Sequence, residues 1–421
     1  MTQGRALGAW QVAALLVSAS YGIGFLFGSG EMALTHGMGG ALYGVATAFG
    51  MLLLGTFAAP LWRGGMPIWD WFGQAYGTGL RSAVALLSVI WMAGVLAAQI
   101  HGGVAILTLL GAQEWVAYCA VLAGIYVAAR LDLRVASMVF SFFLLASGAV
   151  LVQALLAAGG GAFYLRGPAQ FVSDLGTFPS GELLAMTVAI VALVCTGADY
   201  HQFVLAGRRP VAAVTGCLLA ALCLAAVSFL PVAVVLALQA GGGLDELKSA
   251  KQVIPLALAK AASPWGALAG KILLLGLSGA ALGSGAAILR AMTSALASAT
   301  HRPARSPWLA LCALAVGAAL AARGQGIVAT MVSVNIVYIG GVAALFAALL
   351  MRWELSRNQA LRILAAGLAG SLAVYLAAWA GKLDGNGDFP SLLAGLLCSG
   401  AVMALECVLR RGAMVRNLRK R

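Results

Sequence analysis

The chain has 421 residues, 62% hydrophobic and 9% charged, with a mean hydropathy of +0.97 and a formal charge of +13. Soluble domains are about 45–50% apolar and about 25% charged, so a soluble enzyme, a nucleic-acid binder and a disordered scaffold are excluded. A β-barrel is excluded as well, because the apolar runs are continuous and about 20 residues long rather than alternating.

Twelve hydrophobic segments read as membrane helices, with approximate spans 8–36, 39–62, 82–110, 115–130, 134–158, 181–206, 211–239, 264–298, 307–322, 326–351, 359–380 and 389–409. The first begins with Arg5, an apolar run and Ser18-Ala19-Ser20, like a secretory leader, but the run continues well beyond that point and reads as a span. Gly22, Gly24, Gly28 and Gly30 follow within nine residues. Glycine costs up to ~1 kcal/mol per site in a helix interior, so this cluster predicts an unwound stretch in mid-membrane. Freed backbone groups are tolerated there only beside a cavity or a ligand. Glu31, just beyond, is a candidate cap or gate, and Tyr21, Phe25 and Trp91 are candidate walls of a solute site. The third segment places Gln99 and His101 in an apolar run, Gln99 as a cavity candidate.

Residues 159–180 and 240–263 are the two loops longer than a tight turn, each with room for a short surface helix. In the sixth segment Thr196, Gly197, Ala198 and Asp199 again put weak helix formers and polar groups inside an apolar run. Asp199 reads either as a cap on the following half-helix or as a coupling group, and His201 as a proton-exchanging candidate or a polar interface residue. Lys271 and Arg290 in the eighth segment are expected to snorkel. Asn335 and Tyr338 in the tenth are candidates for gating or for helix–helix hydrogen bonds. The interrupted first and sixth segments lie five apart, the pattern of an inverted-repeat secondary transporter. The implied organisation is a first repeat over 1–158, an extracellular loop over 159–180 and a second repeat over 181–351. Two further helices over 352–409 and a basic cytoplasmic tail over 410–421 complete it.

With the N-terminus taken as cytoplasmic, 18 of the 26 Lys and Arg residues fall in inner loops or the tail and six in outer loops, which sets both termini inside. The basic tail reads as a topology determinant at the lipid surface. The seven cysteines lie in or beside apolar runs without metal-ligand spacing, and read as small core residues. The Gly-Ser-Gly triplets at 28–30 and 283–285 lack the Lys-Ser/Thr of a phosphate loop, and no protease or redox motif is present.

FLFGSGEMALTHG (Phe25 to Gly37), MPIWDWFGQAYG (Met66 to Gly77), LAAQIHGGVAILTLLG (Leu96 to Gly111), TGADYHQFVLAGRRPVAA (Thr196 to Ala213) and IPLALAKAASPWGALAGKILLLGLSGAALGSGAAILRA (Ile254 to Ala291) occur in the order and spacing of the sodium:solute symporter family, which the chain resembles over roughly residues 8–300. The resemblance implies the leucine-transporter-type fold, a 5+5 inverted repeat with two extra C-terminal helices. It also implies a sodium site between the first and eighth core helices, with carbonyls at Ser18, Tyr21 and Ala281 and a hydroxyl at Ser284. The family's second hydroxyl is Gly285 here, its following Asp is Ala287, and its Arg after Gln in the sixth-helix motif is Phe203. The loss at Gly285 weakens a site for a cation that prefers oxygen ligands.

The implied protein is an inner-membrane secondary transporter, not an enzyme, that moves a small organic solute such as an amino acid or carboxylate by alternating access. Free amides beside Gly22–Gly28 would meet a carboxylate, near Thr196, Gly197 and Asn335. Sodium is the implied coupling ion, with no other cofactor. Two other readings stay open: a proton-coupled or uncoupled permease on the same fold, with Asp199 and His201 as coupling groups, and a transporter-like sensor or partner subunit. A channel ranks lower, since no filter-like repeat or charged ring is present. Substrate identity and oligomeric state stay open.

Overall fold

The computed structural model describes residues 5–130, 133–245, 247–262, 266–303, 306–322, 327–383 and 387–418. Among them there is no strand, only an isolated backbone bridge between Leu7 and Gly207. The first hydrophobic segment forms two helices, α1 (Ala9–Ser20) and α2 (Ile23–His36). A 3-10 turn (Gly37–Ala41) leads to α3 (Leu42–Gly64). The short α4 (Ile68–Tyr76) buries Ile68, Trp69, Phe72 and Tyr76 on one helical face. Then come α5 (Thr78–Leu109), α6 (Glu114–Ala128) and α7 (Leu133–Ala157). The loop 159–180 holds α8 (Gly161–Asp174), and the sixth segment breaks into α9 (Ser180–Thr196) and α10 (Ala198–Leu205). The seventh bends between α11 (Pro210–Val227) and α12 (Leu230–Ala240), and loop 240–263 holds α13 (Val253–Ala262). The remainder is α14 (Ala267–Thr300), α15 (Pro307–Ala321), α16 (Ile327–Leu350), α17 (Arg357–Trp379) and α18 (Asp388–Leu418).

Every one of the twelve hydrophobic segments thus contains a helix or a broken pair. By length and composition, eight helical stretches among the described residues are apolar enough to cross a membrane, or nine with the bent pair Gly148–Ala157 and Gly161–Thr177 as one span. Helices α1, α6 and α15 are shorter and apolar. Large apolar side chains such as Phe49, Ile90, Leu145, Leu222 and Leu397 stay exposed on the perimeter, as a lipid-facing surface requires.

The helices pack in two groups. In one, α3 lies against α11 and α9, and α1 against α11 and α10; in the other, α5 lies against α14, α15 and α6. Helix α16 touches α5, α9 and α2, and is flanked by α17 and α18. That flank is close-packed: a Cβ at Gly367 would run into the Gly340 carbonyl, and one at Gly395 would lie 2.7 Å from Gly340 Cα. Small residues let membrane helices approach to this distance. Most of the predicted glycine break belongs to this packing role. The unwound part is only Tyr21 and Gly22, while Gly24, Gly28 and Gly30 are helical within α2. A Cβ at Gly28 would lie 2.5 Å from Val328 of α16, and one at Gly30 2.5 Å from Ile254 of α13. These glycines seal α2 against its neighbours instead of unwinding it.

Both ends are tied. At the arginine-rich end Arg5 donates to the Trp62 carbonyl (2.9 Å) and lies over the Trp62 ring, whose Nε1 donates to the Gly207 carbonyl (2.6 Å). There Arg81 pairs with Asp70 (2.6 Å), and Arg362 with Glu406 (2.8 Å). At the opposite end Asp174 accepts from Met38 N–H (2.8 Å) and His36 stacks on Phe178. There burial lowers the Lys251 pKa, while Glu31 and Glu114 act in the other direction. Glu31 accepts from Ile327 N–H (3.0 Å) and so caps α16. Arg290 does not simply snorkel. It donates to the Ala128 and Ala129 carbonyls (2.7 and 2.9 Å), where the end of α6 leaves acceptors without intrahelical donors. Lys271 is exposed, as snorkelling expects. Of the basic tail, residues 419–421 lie outside the described residues, and α18 carries the backbone to Leu418.

Candidate functional site

Helix α1 ends at Ser20 because Tyr21 (φ −81°, ψ 41°) and Gly22 (φ −80°, ψ −177°) leave helical geometry, and α2 restarts at Ile23. The last carbonyls of α1 and the first amides of α2 therefore converge on one point inside the bundle. Gln99 of α5 and Ser284 of α14 meet them there. A Cβ placed on Gly22 would lie 3.1 Å from Ser284 Oγ and 3.5 Å from Gln99 Nε2, and one on Gly24 3.4 Å from Gln99 Nε2 and from Met331 Sδ. Rings continue the wall: Tyr21 and Phe25 have centroids 5.0 Å apart, and Phe25 and Tyr43 5.9 Å. Tyr43 Oη approaches Met331 Sδ at 3.8 Å.

The second break is a single residue. Gly197 is extended (φ −69°, ψ 119°) between α9 and α10. His201, one turn into α10, reaches back across it, its Nε2 2.8 Å from the Cys195 carbonyl. A carbonyl only accepts, so Nε2 carries the proton and Nδ1 is bare. The side chain of Asp199 folds over Gly197, with Oδ1 2.7 Å from where a Cβ would stand. Asp199 lies within electrostatic reach of the phenols of Tyr43, Tyr200 and Tyr338. Tyr200 in turn sits beside Ser20, the last residue of α1. The two breaks are therefore neighbours.

Helix α16 closes the third side. The Tyr338 hydroxyl lies beside Thr196 and Ser88 without completing a hydrogen bond to either, and its ring is 6.1 Å from Trp91. Asn335 donates Nδ2 to the Ala189 carbonyl (2.9 Å). Tyr21, Phe25, Trp91, Gln99, Thr196, Asp199, His201, Asn335 and Tyr338 are all buried, so the centre is occluded from solvent in this conformation. Unpartnered polar atoms concentrate here: Tyr21 Oη, Ser88 Oγ, Trp91 Nε1, Gln99 Oε1, Asp199 Oδ1, Asn335 Oδ1 and Tyr338 Oη. Each such atom in a low-dielectric interior costs about 1–3 kcal/mol unless something pairs with it. A separate crevice of about 120 Å³ between α7, α13 and α14 is lined by apolar side chains such as Val150, Leu258 and Leu277, and contains none of these groups.

Of the residues expected from the sequence, Tyr21, Gly22, Gly24, Phe25, Gln99 and Ser284 gather at the first break, and Thr196, Gly197 and Asp199 at the second. Trp91 and Asn335 join through α5 and α16. Gly28 does not join them, being packed on Val328. Ser18 lies in the last turn of α1, and Ala281 one turn before Ser284 on α14. Gly285 points elsewhere: a Cβ there would meet Ile125 of α6 at 2.9 and 3.0 Å and Gln99 Cβ at 3.6 Å. His101 lies near Lys251 of the 240–263 loop, at the opposite end from the basic loops. Tyr43, Ser88, Met331 and Ile125 had not been anticipated. For Ser88 the signal was available, because Ser88, Trp91 and Gln99 share a helical face by spacing.

No family profile matches the chain, and no curated protein does. Solved structures do. A sodium-coupled sialic acid symporter in a substrate-bound outward-open state matches with a TM-score of 0.68 at 14% identity, over 94% of this chain and 90% of that one. A nucleobase-cation-symport-1 family transporter, closed with bromovinylhydantoin bound, matches with a TM-score of 0.56 at 14% identity, over 95% and 92%. The fold is of the leucine-transporter type.

Proposed function

We propose that this chain is a secondary active transporter that carries a small organic solute across the cell membrane by alternating access, as a divergent member of the sodium:solute symporter family. One observation carries this reading. Two helices that break in mid-bundle meet at their breaks, and the buried polar atoms around them lack partners within the protein. A soluble partner cannot reach these atoms, whereas a solute admitted alternately from either side can. The basic end is the cytoplasmic side, with both termini inside, following the excess of Arg and Lys in its loops. The α1, α3, α9, α11 group would rock against the α5, α6, α14, α15 group. The Gly28–Val328 and Gly30–Ile254 contacts then serve as the outer seal, and the Arg5–Trp62–Gly207 contacts as an inner one.

Coupling has two readings. Carbonyls at Ser18, Tyr21 and Ala281 with the Ser284 hydroxyl form a reduced oxygen set for sodium. The packing of Gly285 on Ile125 favours the second reading, a proton-coupled or uncoupled permease, because the space of the second hydroxyl is filled by hydrocarbon. The test is counterflow into proteoliposomes with a panel of labelled amino acids, carboxylates, sugars, nucleobases and amines, in sodium and in potassium buffer. Accumulation of one solute that Trp91→Leu abolishes supports the transporter. Equal rates in both buffers select the second coupling, and no counterflow of any solute by folded protein would sink the transporter reading.

A further inference from the structure

Four of the unpartnered buried atoms at the two breaks can only accept hydrogen bonds: Asp199 Oδ1, Gln99 Oε1, Asn335 Oδ1 and His201 Nδ1. Only Trp91 Nε1 among them is solely a donor, and the hydroxyls of Tyr21, Ser88 and Tyr338 serve either way. No Lys or Arg is buried among the described residues, so neither stands beside the carboxylate of Asp199 there. The phenols of Tyr43, Tyr200 and Tyr338 lie within electrostatic reach of it, with the Trp91 ring tilted against that of Tyr338 at 6.1 Å and Met331 Sδ against Tyr43. A buried carboxylate without a Lys or Arg counter-ion, near aromatic rings and in the same bundle centre as other acceptors that lack donors, is the electrostatic complement of a cation. It is the wrong site for an anion, which would meet the Asp199 charge there with Trp91 Nε1 as the one unpartnered side-chain atom that is solely a donor.

We propose that the transported solute is a small organic cation whose ammonium group sits between Asp199 and the rings of Tyr43, Trp91 and Tyr338. This rests on the transporter reading and narrows its substrate class away from free carboxylates. The ammonium supplies N–H or N–CH donors to Asp199 Oδ1 and positive charge to the aromatic faces. The amides at the start of α2 beside Gly22 and the amide of Gln99 remain for a polar group at the solute's other end. A proton on Asp199 would neutralise the charge, but it would leave the acceptors of Gln99 and Asn335 without donors.

The experiment measures thermal stability of the purified full chain, at matched ionic strength, with choline, ethanolamine and tetramethylammonium against lactate, glucose and hydantoin. Uptake of the same compounds into proteoliposomes is measured in parallel. The expected result is a rise in Tm with at least one ammonium probe and none with lactate. Affinity should fall about tenfold or more in Asp199→Asn, with part retained in Asp199→Glu. Because Asp199 also folds over the α10 terminus, Trp91→Leu is the second variant, expected to weaken ammonium binding while the fold survives. A Tm rise with lactate, glucose or hydantoin that Asp199→Asn leaves intact would overturn the cation proposal, and so would the absence of any ammonium response. Uptake of one of those non-cationic probes would do so while leaving the transporter reading standing, which separates the two failures.

Discussion

The two helix breaks do the same geometric job with opposite local chemistry. At Tyr21–Gly22 the chain leaves two residues non-helical, and what stands nearest belongs to other helices, Gln99 from α5 and Ser284 from α14. At Gly197 the chain fills its own gap. Leu193 O, Asp199 Oδ1 and the Tyr200 ring all lie within 2.8 Å of where a Cβ would be, and His201 bridges to the Cys195 carbonyl. The first break is exposed to whatever enters the centre, while the second is closed by residues within four positions of itself. A break that offers its amides to a ligand leaves them available, whereas the second satisfies its backbone locally and offers the centre only a side-chain atom, Asp199 Oδ1.

The same substitution at the two sites separates these roles most sharply. Gly197→Ala is expected to cost about 1–3 kcal/mol, towards the upper end, because the new methyl meets a backbone carbonyl at 2.6 Å that cannot swing aside. Denaturation in detergent should show a clear drop in Tm. If Tm is unchanged, the second break is not closed as described. His201→Leu follows in size. It leaves the Cys195 carbonyl buried without its donor, for about 1–3 kcal/mol. His201→Gln should recover part of that, since an amide N–H can replace the imidazole donor. Equal loss in both variants would make packing the reason for His201, not the bridge.

At the first break Gly22→Ala should do the reverse. Its φ of −80° suits alanine, and the nearest atom to the new methyl is Ser284 Oγ at 3.1 Å. The chain gains about 0.4–1 kcal/mol from a stiffer unfolded state, roughly balanced by that contact. Stability should therefore hold within about 1 kcal/mol of the wild type, while solute affinity falls about tenfold, as for about 1.4 kcal/mol of lost contact. A stable variant with full uptake would mean that the solute does not approach Gly22.

The sequence was informative where chemistry is local. Two interrupted helices five segments apart, the polar positions Gln99, Asp199 and Asn335, and room for helices in both long loops could all be read from residue types. Glycine was ambiguous. One price in helix propensity covers two uses, unwinding at Gly22 and close packing at Gly28 and Gly30, and only the neighbouring helix tells them apart. Partners from distant segments were equally hidden. Tyr43 and Met331 look like ordinary apolar-run residues until α2 brings them together. Arg290 resembles a snorkelling cation until the end of α6 offers it two carbonyls. Gly285 could be seen as a missing hydroxyl, but not that Ile125 had taken its space.

That last contact leads to the smallest expected effect. Restoring the second hydroxyl by Gly285→Ser alone should fail, because its Cβ would press on Ile125 Cδ1 at 2.9 Å and Cγ1 at 3.0 Å and cost about 1 kcal/mol or more. Ile125→Ala removes both of those atoms. The double variant Ile125→Ala with Gly285→Ser should therefore be no less stable than Ile125→Ala alone. It should also gain a sodium-dependent rise in Tm, measured against potassium, larger than that of the wild type. An additional oxygen beside Ser284 on α14, in the space that Ile125 now fills, is what a hard cation would gain. If the double variant is stable and its sodium response equals that of the wild type, Ser284 and the end of α1 do not form a cation site. The first break then serves the solute alone, and coupling has to be sought at the second.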